Sequence, residues 1–363
     1  MNRTSFALAV NALFQPPQTL IYSGCVKALA RILLICFLFS CSKQIEQESI
    51  PLQRIESIPS RQSVRDLFHT NTDSLNAVFV IGKNIVTFRH PSVNGEPHVR
   101  FFDLETMGEI KGLVPMGRGL DEMLLALPSV SEGQLLLRDI AQRQLAIIDV
   151  NDAILPTFRL KKYQTNILSQ KIIPFEKKLM FVNPYSFRNK EKRILISDRS
   201  WNYKYRKKHS FNAFNVTGGE LLYNSLKKTV FYLSRYEPVI EMMDSRGIIR
   251  KTITLPHSQP EITEIWHEQR RITEYVFLDQ DIFPFDCFNA SDSNHDYIAA
   301  VFQTDDWKSI VLILNWDGCI VDSFRAEASV KNISLSPDNR VVWCWEEDSG
   351  ESVLKEYSIE PGQ

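Results

Sequence analysis

The chain has 363 residues, 44% of them hydrophobic and 23% charged, with a formal net charge of −1 at pH 7. That is the composition of a folded globular protein and excludes a disordered chain. The balanced charge also excludes a global field that would recruit nucleic acid or an anionic membrane surface. The length accommodates two average domains or one large all-β domain. The 22 Phe among 11% aromatics favour strands, where rings pack on a pleated surface.

Residues 1–40 carry Arg3, Lys27 and Arg31 and no acidic residue. They lead into "ARILLICFLFSCSKQ": a cation, an apolar run from Ile32 to Phe39, then Ser40 and Cys41. A basic stretch before a short apolar run reads as a secretory signal, too short to span a bilayer stably. The Leu38-Phe39-Ser40-Cys41 ending resembles the lipobox of bacterial lipoproteins. That resemblance implies cleavage before Cys41, diacylation of its thiol and acylation of the new amino terminus. An uncleaved anchor or a buried apolar helix is the plainer alternative. Residues 26–31 suffice as the basic region, so residues 1–25 are superfluous to the signal and the expected start lies downstream. Loss of residues 1–40 removes three cations and no anion, shifting the net charge from −1 to −4. Residues 41–49 are expected to form a lipid-anchored linker and 50–363 the folded domain. The short "Asp73-Ser74-Leu75" resembles an O-glycosylation acceptor of some envelope proteins, which marks Ser74.

Downstream, the same phrase recurs. An apolar strand closes on a polar residue before a turn in "VRFFDLETMGEIKGL", "LAIIDVNDAILPTF", "RILISDRSWNYKY", "IEMMDSRGIIRKTI", "LILNWDGCIVDSF" and "LKEYSIEPGQ". The closing residues are Asp103, Asp149, Asp198, Asp244, Asn315 and Ser358, spaced by 46, 49, 46, 71 and 43. Repeats of this length, each holding several short strands, are the signature of a β-propeller, here an all-β, six-bladed one. A β-sandwich or two smaller β domains is the alternative. Earlier strands precede the anchors, as in "AVFVIG" with "NIVTFR" and in "GELLYN" with "KTVFYLSRY". The long interval holds "QPEITEIWHEQRRITEY", which places Ile262, Ile265, Trp266 and Ile272 on one helical face and predicts a short helical insertion. The last anchor leaves only "IEPGQ", so blade six supplies three strands of its own. An open outer edge would leave the ring unsealed, and "IPLQRIESIPS", residues 50–60, is the expected closing strand.

The turn "GRGLDEML", Gly117 to Leu124, and the stretch "LLYNSLKKTVFYLSRYEPVIEMMDSRGIIRKTI" are similar to TolB-like and NHL-like six-bladed propeller lipoproteins, over roughly residues 70–360. Leu120 stands where that family commonly has Pro. The resemblance implies a cell-envelope binding or scaffolding role rather than a reaction.

Catalytic and metal motifs are absent from the sequence. "WHEQRR" has Arg271 where a second zinc-binding His belongs. "DSNHDY" spaces Asp292, Asn294 and Asp296 like the start of a calcium loop, but Tyr297 and Gln303 replace the required Gly and Glu. No Cys-x-x-Cys or Cys/His ligand spacing exists, so no metal site is expected; with Cys41 lipidated, at least one of Cys287, Cys319 and Cys344 is unpaired, and Cys319 and Cys344 are expected as free thiols in apolar strands. No cofactor is implied. The run "RSWNYKYRKKH" alternates aromatic and basic residues, a pattern that can bind nucleic acid strands. In an envelope lipoprotein that partner is mostly absent, and anionic glycan or lipid headgroups are the alternative; the plainer reading is a charged outer strand. Propeller loops joining second to third strands share one face with the blade crossings. That face is expected to gather Arg118, Arg138, Arg143, Arg235, Tyr236 and Trp307, suited to an anionic or glycan ligand. The expected function is therefore a non-catalytic, outer-membrane lipoprotein, periplasmic or surface-facing, that binds a glycan, peptide or partner protein. A lyase or hydrolase working in the central channel is the alternative.

Overall fold

The structure, a computed structural model, describes residues 45–71, 76–89, 91, 95–131, 133–155, 157–165, 171–176, 178–182, 194–197, 218–235, 237–256, 262–269, 272–277, 287–304, 309–348 and 350–360. It opens with β1 (Glu46–Ser49), a short helix α1 (Leu52–Glu56) and β2 (Arg65–Asn71). Blade 1 is β3 (Ala77–Ile81), β4 (Asn84–Phe88), β5 (Pro97–Asp103) and β6 (Glu109–Pro115). Blade 2 is β7 (Ala126–Ser131), β8 (Gln134–Asp139), β9 (Gln144–Asp149), a helical turn α2 (Val150–Ala153) and β10 (Lys162–Gln164). Blade 3 contributes β11 (Ile172–Phe175), β12 (Lys178–Val182) and β13 (Ile194–Ser197). Blade 4 is β14 (Gly219–Asn224), β15 (Thr229–Ser234), β16 (Val239–Asp244) and β17 (Ile249–Thr254). A hairpin, β18 (Ile262–His267) with β19 (Ile272–Phe277), precedes blade 5: β20 (Phe288–Ser293), β21 (Tyr297–Gln303), β22 (Ser309–Asn315) and β23 (Ile320–Arg325). Blade 6 is β24 (Ser329–Leu335), β25 (Val341–Asp348) and β26 (Glu351–Ser358), with β2 added antiparallel to β26.

The protein is an all-β, six-bladed propeller. Each blade is an antiparallel meander, and alternation sends successive side chains to opposite faces. In blade 2, Leu135, Leu137, Ala146 and Ile148 pack on Phe88, Val99 and Phe101 of blade 1. Leu136 and Leu145 pack instead on Ile172, Leu179 and Phe181 of blade 3. The same division gives one apolar cluster at every blade boundary, including Val78, Val80 and Ile85 of blade 1 against Trp343, Trp345 and Leu354 of blade 6. One blade cannot cover both its faces; the closed ring covers them all.

Among the described residues, the recurring polar anchors mark the end of the third strand in blades 1, 2, 4, 5 and 6. Asp103 Oδ1 accepts from the Glu105 and Thr106 amides, Asp149 Oδ1 from Asn151, Asp244 Oδ1 from Arg246 and Ile248, and Asn315 Oδ1 from Asp317 and Cys319. A short carbonyl-bearing side chain that turns the chain into the fourth strand is what Asp and Asn supply. Ser358 ends β26, and Asp198 follows β13 outside the described residues.

Four expectations are corrected. Residues 50–60 do not form the closing strand: α1 forms there, and Ile50, Ile55 and Ile58 are buried against Leu233, Ile253 and Trp316 between blades 4 and 5. The Ile55/Ile58 spacing of three suits a helical turn rather than strand alternation. The N-terminal strand that closes blade 6 is β2, five residues further on. The expected linker is also part of the fold from Glu46: β1 lies parallel to β17 as a fifth strand of blade 4. There Lys251 Nζ pairs with Glu48 at 2.7 Å and Glu46 at 3.4 Å. Burial opposes the charge on Lys251, but the two carboxylates outweigh it and hold the ammonium above the usual lysine range. The predicted helical insertion is the β18–β19 hairpin, with Ile262 opposite Phe277 and His267 opposite Ile272. Its density of Ile, Thr, Tyr, Val and Phe favours strands over the helix that four apolar positions suggested. Finally, Cys319 sits exposed in the β22–β23 turn, whereas Cys344 is buried in β25.

Candidate functional site

The first strands of the blades ring the axis and line a cavity of about 200 Å³. Its wall takes Phe79 from β3, Ser129 from β7, Lys171 just before β11, Glu220 from β14, Ser291 and Asp292 from β20, and Ser334 from β24. Toward the loops that join first to second strands it gives way to a second cavity of about 320 Å³, lined by Gly82, Tyr223, Leu226, Asn294 and His295 among others. Val130 and Asp292 border both, so they form the neck of an axial channel.

The neck is polar and charged. Lys171 Nζ lies 2.8 Å from Glu220 Oε2, and the Ser291 hydroxyl donates to the same oxygen at 2.8 Å. Glu220 Oε1 accepts no hydrogen bond among the described residues, and the side chain stays 19% exposed. Asp292 Oδ2 accepts from the Leu335 amide at 2.9 Å. Burial pushes the Asp292 carboxyl up to about 6; the Leu335 and Ser293 amides and Lys171 pull against that, while Glu220 adds to it. Asn289 donates Nδ2 to the Val330 carbonyl at 2.9 Å, and its buried Oδ1 has no partner among the described residues. Two serines on the wall are committed to the scaffold. The Ser129 hydroxyl donates to the Ile172 carbonyl, and Ser334 Oγ accepts from the Val80 amide. At the start of β14, a Cβ on Gly219 would lie 2.4 Å from the Leu233 carbonyl, so this close approach requires glycine.

The residues singled out from sequence are placed as follows. Arg235 follows β15 in a second-to-third-strand loop and lines the upper cavity. Arg143 lies exposed in the β8–β9 turn and Arg118 exposed in the β6–β7 crossing, on that same face but off the cavity wall. Arg138 is 5% exposed within β8 and does not border the channel. Tyr236, Trp307, Cys41, Ser74 and the run at 199–209 lie outside the described residues. The crossing that carries Arg118 is folded around Glu122, whose Oε2 accepts from the Gly119 amide at 2.6 Å. Side chains at Gly117 or Gly119 would strike that carboxylate. The "GRGLDE" turn is thus internally satisfied. The calcium-like spacing is taken up by the scaffold as well: Asn294 Oδ1 caps a turn by accepting from the Asp296 and Tyr297 amides. Among the described residues no His, Cys, Asp and Glu cluster could hold a metal.

Sequence reading missed Lys171, Glu220 and Ser291. The available signal was polar residues within first strands, as in "GELLYN" and "FNASDS".

No protein-family model matches this sequence, and no curated protein does. Among solved structures, a candidate exported protein from Bacteroides fragilis aligns over 87% of this chain and 100% of its own, with a TM-score of 0.50 at 9% identity. A member of the DUF4221 family from Bacteroides vulgatus aligns over 84% and 99%, with a TM-score of 0.47 at 9% identity. The Swd1 propeller domain of Myceliophteria thermophila aligns over 82% and 99%, with a TM-score of 0.40 at 13% identity. At these identities the likeness concerns the fold. The class defined is a six-bladed β-propeller with a polar axial channel.

Proposed function

We propose that this chain is an exported, lipid-anchored propeller of the TolB-like and NHL-like kind. It works without catalysis, binding part of a glycan, peptide or partner protein in its axial channel. The observation that carries this reading is the upper cavity, where all six blades contribute to one wall that holds both charges and unpaired acceptors. At about 200 Å³ it is smaller than the roughly 300–1,000 Å³ of common small-molecule sites, so it takes one sugar ring or one side chain of something larger. Binding of the full chain to a panel of glycans and peptides tests this. Asn332→Trp fills the lumen and should abolish binding while leaving the circular dichroism spectrum intact; unchanged binding would place the ligand elsewhere.

The anchor is Cys41, and the address an outer membrane, facing the periplasm or the surface. A palmitate analogue should label the wild type and spare Cys41→Ala. Intact mass reports whether Ser74 carries a glycan. One observation favours a second reading. Asp292, with its carboxyl near 6, is placed to act as a general acid, which suits a lyase or hydrolase in the same channel. Turnover of a bound glycan that Asp292→Asn abolishes, with binding retained, would decide for it.

A further inference from the structure

Resting on the channel reading above, we propose that the channel neck is an ammonium site, selecting ligands that carry a primary amine, such as an amino sugar or a lysine side chain. Two acceptors on the wall around the neck lack a donor among the described residues. Lys171 and Ser291 both give their hydrogen bonds to Glu220 Oε2, leaving Oε1 without a donor among the described residues. On the same wall, Asp292 is met by the Leu335 and Ser293 backbone amides, and the Asn289 Oδ1 acceptor has no donor among the described residues. An acceptor-rich cavity wants a ligand group made only of donors, and an ammonium carries three donors and no acceptor. Charge points the same way, since a cation between Glu220 and Asp292 offsets the repulsion between them while Lys171 keeps its pair with Glu220. A carboxylate makes charge-assisted hydrogen bonds to either group, but only the ammonium adds direct Coulomb attraction, so it gains over a hydroxyl of the same shape.

The groups facing Asp292 are Lys171, Glu220 and Arg235 in the upper cavity and His295 at the lower mouth. His295 is exposed and 2.9 Å from Asp296. Because the Asp292 carboxyl is held near 6, ammonium binding should weaken as pH falls through that value. Asp292→Asn should remove the pH dependence, whereas a change at His295 should leave it.

The test compares isosteric probes on the full chain in detergent at pH 7.5: butylammonium against 1-butanol, and glucosamine against glucose. The expected result is at least a tenfold preference for the ammonium probes, lost in both Glu220→Gln and Asp292→Asn. Because Glu220→Gln disturbs the Lys171 pair, Asp292→Asn, which keeps an acceptor for the Leu335 amide, serves as the second variant. Equal binding of charged and neutral probes, still blocked by Asn332→Trp, overturns the ammonium assignment and leaves the channel reading standing. Binding of none of the four overturns the assignment, and a glycan and peptide panel that is also silent removes the channel reading with it. A preference that survives Asp292→Asn and Glu220→Gln likewise overturns it.

Discussion

Arg61 grips Asp322 through two parallel hydrogen bonds, Nη1 to Oδ2 at 2.7 Å and Nη2 to Oδ1 at 3.0 Å. It also donates to the Ser358 carbonyl at 2.8 Å, and its guanidinium lies 4.7 Å from the Phe324 ring centre. One residue thus joins the N-terminal strap, the outer strand of blade 5 and the last strand of the chain. Asp322 is 2% exposed and otherwise accepts the Glu360 amide. Arg61→Ala leaves that buried carboxylate without its cation, a loss of about 3–5 kcal/mol. Arg61→Lys recovers only part, because an ammonium cannot reproduce the two-pronged geometry. Denaturant unfolding of the three proteins checks the order; equal stability would show that the strap closes the ring without this pair.

A second buried charge sits within blade 6. Glu346, 1% exposed, accepts from the Ala328 amide at 3.0 Å and from the Tyr357 hydroxyl, with Lys355 Nζ at 3.4 Å. Burial raises its carboxyl above the usual range even though Tyr357 and Lys355 favour the charged form. Lys355→Met strands this carboxylate and should cost about 3–5 kcal/mol near neutral pH. A carboxyl raised by folding loses stability as pH climbs through its folded value, so the deficit near neutral pH should shrink at an acidic pH. Adding Glu346→Gln should restore much of the loss, as measured by thermal unfolding at the two pH values.

Asp292 follows the same sign. Its folded carboxyl near 6 lies above the unfolded 3.8, so its contribution to stability is fully present below the lower value and lost as pH rises through the higher. At pH 7.5 Asp292→Asn should therefore stabilise by about 1–3 kcal/mol, because each pH unit separating the two values is worth roughly 1.4 kcal/mol. At pH 4 the two melts should converge. A variant less stable at pH 7.5 would mean that the carboxylate is structural rather than held ready for a ligand.

The thiols give a check on topology. Cys319 is exposed, whereas Cys287 and Cys344 are buried, and burial, reinforced by Glu346, pushes the Cys344 thiol well up. Iodoacetamide on the native protein should modify Cys319 and spare the other two until denaturant is added, as read by peptide mapping. Labelling of native Cys344 would contradict the packing between blades 5 and 6.

The ring was legible because four blades repeat one physical device, the Asp or Asn that turns the third strand into the fourth. Asp103, Asp149, Asp244 and Asn315 do this through their own hydrogen bonds, so the signal is local and survives in sequence. Closure by an N-terminal strand followed from the missing last strand of blade 6. Its position did not, because Ile55 and β2 are chosen by contacts with Trp316 and β26, more than 250 residues away. The hairpin at 262–277 was misread because apolar spacing alone outweighed β-branched composition. The channel stayed hidden for a related reason. Lys171, Glu220 and Asp292 come from three blades, and no local spacing reports that they meet on the axis.

The most direct measurement is a crystal structure of the protein with the tightest binder found among the amine-bearing probes. An ammonium-selective neck predicts ligand density on the axis with its nitrogen between Glu220 and Asp292, and no new density along the outer edges of the blades. Density on the rim, with the neck holding only water, would contradict it.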